Sequence, residues 1–417
     1  VIDPTLLRSD PDQIRISLQR RGLTIDLDVL IGLEAQLRRT RQEAEETRAA
    51  QKEAGKEIAR LEGDEKKSAI AEVGKLADRH KTLEAEAEQL AESFEEQWAA
   101  VPNLVDPSAA EGHSEADNVE IKRVGDQPDF DFEASDFTAL GSSLDIIDME
   151  RGAKVSGSRF GYLKGPAVIL EFGLVRYAFD RLIGAGFTPM VPPVLVREQA
   201  LYGTGFFPGD REQVYSVPAD DLFLVGTSEV SLAAYHTDEI FDADQLPLRY
   251  AGFSSCFRRE AGTYGKDTQG LFRVHQFDKV EMFVFCAPEA SVEEHERLLE
   301  IEESIVGGLG LPYRVMNIAA GDLGSSAAKK YDIEAWFPSQ DAYREVTSCS
   351  NTTDYQARRL KVRMRGEGGN RIVHTLNGTA VAVGRMILAI LENFQQDDGS
   401  VEMPEGLVPY VGFGRIG

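Results

Sequence analysis

The chain has 417 residues, 42% of them apolar, enough for a substantial core and for two domains. Lys and Arg number 45 against 70 Asp and Glu, a net charge of −25, which excludes a protein that coats nucleic acid nonspecifically and leaves any RNA contact to local basic patches. Cys256, Cys286 and Cys349 form no C-x-x-C pair, so neither a disulfide framework nor a zinc ribbon is encoded, and a reduced, cytoplasmic setting is expected.

Asp3, Arg8 and Asp10 interrupt the N-terminus, and the longest apolar run, Ala380 to Leu391, is broken by Arg385; neither a signal peptide nor a membrane span is expected. Residues 1 to about 25 read as a small helical cap on Leu6, Leu7, Ile14, Ile16 and Leu18, with Asp10-Pro11 as a helix start. Heptads follow. Leu30, Leu37, Ala44, Gln51 and Ile58 alternate with Leu33, Thr40, Thr47, Ala54 and Leu61; after Glu62-Gly63-Asp64-Glu65, Val73, His80, Ala87 and Phe94 alternate with Leu76, Leu83, Leu90 and Gln97. The spacing predicts an antiparallel helical hairpin over about 27–98, roughly 50 Å long at 1.5 Å per residue.

The base of the hairpin carries Glu84, Glu86, Glu88, Glu92, Glu95 and Glu96 with no basic residue between them. From residue 48 to 81, nine basic residues exceed seven acidic ones, so the outer arm is an electropositive finger on an acidic chain. On its own the arm reads first as a solvated coiled coil that dimerises with something or merely spaces domains; the motifs further along the chain reverse that preference. Val101-Pro102-Asn103 ends it, and the Gly/Ser/Asp-rich stretch to Asn118 reads as a linker. Beyond lie Gly-punctuated strands and helices without regular βαβ alternation, which predicts an α+β domain around an antiparallel sheet. Ile169 to Ile183 is an amphipathic helix leading into the proline-bearing strand Gly186 to Val194, a pattern that also suits an ordinary core helix and edge strand.

Phe253 to Phe285 reads as a β-hairpin whose strands carry Arg258, Glu260, Phe277 and Glu281 where apolar or neutral groups are usual. Alternation puts Arg258 with Glu260 on one face and Phe277 with Glu281 on one face of the returning strand, the latter two about 13 Å apart. Cation, aromatic plate and carboxylates on one surface suit an adenylate, although Arg258 and Glu260 could also be a surface ion pair and Phe277 a core residue. Leu376 to Arg385, with Ile387, Ile390, Leu391 and Phe394 at helical spacing, predicts a strand and a helix beginning near Arg385, an anion site. Gly203-Thr-Gly205 is not a dinucleotide fingerprint because Gly209 falls one place late, and Gly265-Lys266-Asp267 is no P-loop. The six histidines show no metal-ligand spacing.

In this order and separation the two units resemble motifs 2 and 3 of the class II aminoacyl-tRNA synthetases, with Thr379 and Ala382 replacing two positions of the loosest motif 3 pattern; the helix at Ile169 looks like motif 1, the homodimer interface. The long N-terminal arm, Gly226-Thr227-Ser228-Glu229, Arg273 to Phe277, Glu345 to Asn351 and Asn377-Gly378-Thr379 are similar to the seryl-tRNA synthetase family in particular, over nearly the full chain. The resemblance implies a class II catalytic core at 106–417 preceded by an all-α, tRNA-binding coiled-coil arm at 1–105. It implies activation of L-serine by ATP to seryl-adenylate and transfer to the 3′-end of tRNA(Ser), with tRNA(Sec) left open as a second acceptor.

Carried over residue by residue, the resemblance gives Arg258 the α-phosphate, Glu260 the adenine amino group, Phe277 and Val274 the ring, and Arg385 the opposite adenine face and γ-phosphate. Arg259, Val346 and Thr347 join the ATP set, and Glu345 and Ser348 hold Mg²⁺ and phosphate oxygens; no zinc is expected. Glu345 and Ser348 are three apart, so a bulge is required to bring both to one face. Thr227, Ser228, Glu229, Arg258, Glu281 and Thr379 make the serine site, with the division of its contacts open. Arg48, Lys52, Lys56, Arg60, Lys75 and Arg79 on the arm and Lys266 in the motif 2 loop are the candidate tRNA contacts. The alternative on the same core is an amino acid:carrier-protein ligase, which lacks the long arm and uses a pocket metal.

Overall fold

The computed structural model describes residues 1–261 and 272–417. The chain forms two compact units, one of Asp3–Gln19 and Leu23–Pro102, the other of Val1–Ile2, Arg20–Gly22 and Asn103–Gly417.

The first unit is helical. α1 (Leu6–Ser9) and α2 (Pro11–Arg20) precede the long helices α3 (Leu27–Ile58) and α4 (Gly63–Ala99). Asp26 caps α3, its carboxylate accepting from the backbone N–H of Asp28 and Val29 at 3.1 and 3.3 Å. Gly63, at φ +59°, makes the turn into α4. Leu27, Leu30, Leu37 and Ala44 of α3 and Leu83, Ala87, Phe94 and Trp98 of α4 are buried. Between Ala44 and Leu83 no described side chain is fully buried, so the seam between the two helices is only half-buried along the outer half of the hairpin. The heptads hold as far as Phe94, where Trp98 replaces the expected Gln97 and stacks on Phe94 at 5.7 Å. A straight helix advances 3.6 residues per turn and drifts past a strict 3.5 repeat. Ile16, expected in the cap's core, is 58% exposed.

The second unit is built on a sheet of β1 (Val119–Val124), β2 (Thr188–Met190), β3 (Leu248–Phe257), β4 (Gln276–Cys286), β5 (Tyr313–Asn317), β6 (Lys329–Phe337), β7 (Ala342–Thr353) and β8 (His374–Ala382). Its order is β1-β5-β6-β7-β8-β4-β3-β2, antiparallel throughout except for the edge pair β2/β3. Three helices, α5 (Pro166–Gly184), α6 (Ser291–Gly307) and α7 (Val383–Asn393), pack on it. Alternation along β4 decides which face does what: Val280, Met282, Val284 and Cys286 join the helices in the main core, while Phe277, Lys279 and Glu281 turn the other way. α7 starts two residues before Arg385 and is buried nearly all round, not along one stripe, because it is enclosed between the sheet and α5.

The stretch after Pro102 is not a free linker. Asn103 is 2% exposed and its amide donates to the carbonyls of Ser326 and Thr352 at 2.9 and 2.8 Å. The buried Arg21 guanidinium donates to the carbonyls of Asn103 and Leu323, both at 3.1 Å. The polar composition that reads as linker instead satisfies backbone groups that would otherwise be buried without partners.

Candidate active site

The face of the sheet turned away from the main core forms the floor of a cavity of about 990 Å³, at the upper end of the range for small-molecule sites. β3 and β4 pair in register from Leu248 opposite Phe285 to Phe257 opposite Gln276. β3 therefore ends before Arg258, and strand alternation does not govern Arg258 and Glu260. Glu260 instead adopts a left-handed backbone, φ +49°, which turns its carboxylate to Arg273 at 2.9 Å. Arg258 is held by its Nε donating to the Gly226 carbonyl at 3.1 Å, and its guanidinium carbon lies 5.3 Å from the Phe277 ring centre. Among the described residues it has no carboxylate partner, so its Nη groups are available to an anion.

Arg385, in the first turn of α7, faces the same cavity. Its guanidinium lies 3.4 Å from the Glu345 carboxylate and 4.8 Å from the centre of Phe272, a ring the sequence reading passed over. Burial would raise the Glu345 carboxyl, but Arg385, Lys330 and Arg258 outweigh it and hold it at about 2. The bulge that Glu345 and Ser348 require is present. The register slips where Ile333 faces Thr347 and Glu334 faces Glu345, leaving Val346 as the extra residue and bringing Glu345 and Ser348 to one cavity.

Deeper in, a polar pocket holds Thr227, Glu229, Asn377 and Thr379. Glu229 opens the short helix Glu229–Ala234, so its side chain leaves the chain at a fixed point beside Thr227, whose hydroxyl accepts its backbone N–H at 3.2 Å. Its carboxylate takes Gln356 Nε2 at 2.7 Å and Asn377 Nδ2 at 3.3 Å. Burial, and then the neighbouring Glu281, push the Glu229 carboxyl up to about 7. Glu281 is fully buried one layer behind the cavity wall, ion-paired with Lys279 and hydrogen-bonded to Asn377 at 3.2 Å and Thr379 at 3.5 Å. A lone buried carboxylate would cost several kcal/mol; Lys279 is the partner that lets it stay. Gly378 lets the strands and the helix behind them approach closely, since a Cβ there would come within 2.8 Å of a Glu302 oxygen and 3.0 Å of the Cys349 Cβ, and these neighbours would have to shift.

The cavity thus brings together Arg258, Glu260, Val274, Phe277, Glu345, Val346, Thr347, Ser348, Arg385, Thr227, Glu229 and Thr379. Three expected residues lie off its wall. Ser228 is fully buried and donates to the Gly252 carbonyl at 3.4 Å; the turn into the helix carries it toward β3. Arg259 points outward past the end of β3, 5.9 Å from the Tyr215 ring. Glu281 acts only through its neighbours. Lys266 lies outside the described residues. Missed by the sequence reading were Phe272, Lys279, Gln356 and Lys330; only Lys279, alternating between Phe277 and Glu281, carried a local signal.

On the arm, Lys56, Arg60, Lys75 and Arg79 pair with Glu53, Glu57, Glu72 and Glu43 at 2.8, 3.1, 3.1 and 3.2 Å, and their side chains are 54–78% exposed. Exposed pairs of this kind are worth about 0–1 kcal/mol, so phosphates can displace the carboxylates at little cost. Arg48 and Lys52 are exposed and have no ion-pair partner among the described residues.

Residues 1–105 match the family described as "Seryl-tRNA synthetase N-terminal domain", and residues 214–394 match "tRNA synthetase class II core domain (G, H, P, S and T)". A serine--tRNA ligase of Thermobifida fusca is 51% identical over 414 residues, covering 99% of this chain and 98% of that protein. The solved seryl-tRNA synthetase of Pyrococcus horikoshii complexed with ATP superposes with a TM-score of 0.95 at 40% identity, covering 100% of this chain and 99% of that one. The cytoplasmic serine-tRNA ligase of Naegleria fowleri in complex with AMP gives 0.90 at 33%, covering 100% and 98%. The chain belongs to the seryl-tRNA synthetase family of the class II aminoacyl-tRNA synthetases.

Proposed function

We propose that the chain is a serine--tRNA ligase, with 1–105 as its tRNA-binding arm and 106–417 as its catalytic domain. The observation that carries this reading is one continuous cavity lined both by the guanidiniums of Arg258 and Arg385 and by the hydroxyls and carboxylate of Thr227, Thr379 and Glu229. The pocket takes serine: Glu229 receives the ammonium, Thr379 the hydroxyl, and Glu281 is a positioning residue that fixes Asn377 and Thr379. The serine carboxylate oxygen attacks the α-phosphorus of ATP as the bond to pyrophosphate breaks. No general base is needed, because the nucleophile is already ionised. Arg258 neutralises charge building on the α-phosphate, and Phe277, Val274 and Glu260 seat the adenine. A terminal tRNA hydroxyl then attacks the seryl carbonyl and AMP leaves.

Mg²⁺ is proposed to arrive with ATP. The ionised Glu345 and the Ser348 hydroxyl, oxygen donors that flank the bulge and line one cavity, fit a hard cation that keeps most of its waters, and they would hold it while it offsets phosphate charge. The protein is further proposed to work in the cytoplasm as a homodimer through α5 and the strand after it. Ile169, Phe172, Ile183 and Val191 are 47%, 60%, 51% and 83% exposed there, a face that a second copy would cover. No described helix is long and apolar enough to cross a membrane.

The test is ATP–pyrophosphate exchange across the twenty amino acids. Serine alone should support it, and seryl transfer should go to tRNA and not to a carrier protein, which would favour the ligase alternative.

A pH dependence follows from Glu229. Its folded value near 7 lies above that of a free glutamate, so below pH 7 it carries a proton and presents no charge to the ammonium. The KM for serine should fall about tenfold between pH 6 and pH 8 as Glu229 ionises. Glu229→Gln should raise KM and flatten that profile. The stability of the free protein should run the other way, falling as pH rises from about 4.5 to about 7, because over that window the folded state binds the extra proton.

A further inference from the structure

Lys330 of β6 lines the cavity, whereas its ion-pair partner Asp332, two residues on, does not. The ammonium lies 2.8 and 3.0 Å from the Asp332 oxygens, and the two side chains are only 23% and 10% exposed. An ammonium has three donors; Asp332 accounts for two at most, so at least one N–H is left for the cavity. β6 and β7 pair so that Lys330 faces Ser350 and Asp332 faces Ser348, which sets this cation beside the bulge that carries Glu345. Burial would lower the lysine's proton affinity, but Asp332 and Glu345 outweigh it and keep Lys330 charged. The charge count points the same way. A triphosphate brings about four negative charges near neutral pH, while Arg385 is already offset by Glu345, and Arg258 is the one guanidinium on the phosphate side without a carboxylate partner among the described residues, so the N–H that Lys330 keeps free of Asp332 adds to a short supply of cationic donors.

We propose that Lys330 is a third cationic contact for the nucleotide, donating to a phosphate oxygen of the departing pyrophosphate, with Asp332 as the residue that positions it. The proposal rests on the adenylate-forming reading above and deepens it. In the forward reaction Lys330 steadies the leaving group; in reverse it captures pyrophosphate.

The measurement is serine-dependent exchange on the full-length protein, with ATP, pyrophosphate and serine titrated separately. Lys330→Met should raise KM for pyrophosphate and ATP about ten- to a hundredfold, the worth of one charge-assisted hydrogen bond, with KM for serine unchanged. Lys330→Arg should recover part of the loss. Because Lys330→Met leaves Asp332 buried alone, Lys330→Met/Asp332→Asn is measured beside it: the double variant should regain the thermal midpoint but not the pyrophosphate KM. Unchanged pyrophosphate and ATP constants, a rise confined to serine, or full kinetic recovery in the double variant would each overturn the proposal. Absence of exchange in the unmodified protein would instead overturn the parent reading.

Discussion

Arg258→Ala lowers serine-dependent ATP–pyrophosphate exchange by about 10²- to 10³-fold, the cost of removing one preorganised donor group from a developing anion. The effect is expected in kcat more than in either KM, because the charge on the α-phosphate oxygens is redistributed as the serine carboxylate closes in, and the guanidinium is worth most at that moment. Stability should change little. Among the described residues Arg258 makes one side-chain hydrogen bond, to the Gly226 carbonyl, and packs on Phe277, so its loss removes about 1 kcal/mol of structure. Exchange rates and a melting curve on the same preparation separate the two effects. A variant with native exchange would take Arg258 out of the reaction.

The second large effect is selective. Replacing residues 35 to 92 with a short glycine loop should leave exchange within a few-fold of the intact protein and reduce tRNA charging to background. Every group that lines the cavity lies beyond residue 150, and the deleted segment falls inside the separate helical unit. Adenylate chemistry therefore has no stake in it. Charging should depend on it, because the exposed cations at Arg48, Lys52, Lys56, Arg60, Lys75 and Arg79 are the proposed source of electrostatic attraction for a phosphate backbone on a chain whose net charge is −25. The intact protein's affinity for tRNA should fall steeply with salt, and each arm cation removed should shallow that slope by about one unit. Equal loss of exchange and charging would assign the arm to folding.

What could be read in the sequence, and what could not, divides along a physical line. The helical hairpin and the β3/β4 pair announce themselves through periodicity, a property of neighbours in the chain. The docked stretch after Asn103 does not, because its polar residues find partners about 220 to 250 positions away. Phe272 sits next to an arginine in sequence and between two in space, Arg385 at 4.8 Å and Arg344 at 4.4 Å, and only the second fact gives it a place in the cavity. Lys330 carries no local signal in its Lys-Lys pair, and only its place on β6 opposite Ser350 brings it to the cavity. Ser228 shows the converse error: it stands between two cavity residues in the chain, and the helix beginning at Glu229 turns it toward the strand behind.

The extra residue at Val346 has a further consequence. Along β7 the parity changes sign at this point: Glu345 before it and Ser348 and Ser350 after it line the cavity, with Cys349 falling to the core. A systematic scan of β7 should show two sets of sensitive sites that are out of phase, a stutter in an otherwise alternating record. Deleting Val346 would restore a uniform beat, and with it rotate one half of the proposed nucleotide contacts on β7 into the hydrophobic interior while Glu345 and Ser348 were both still present.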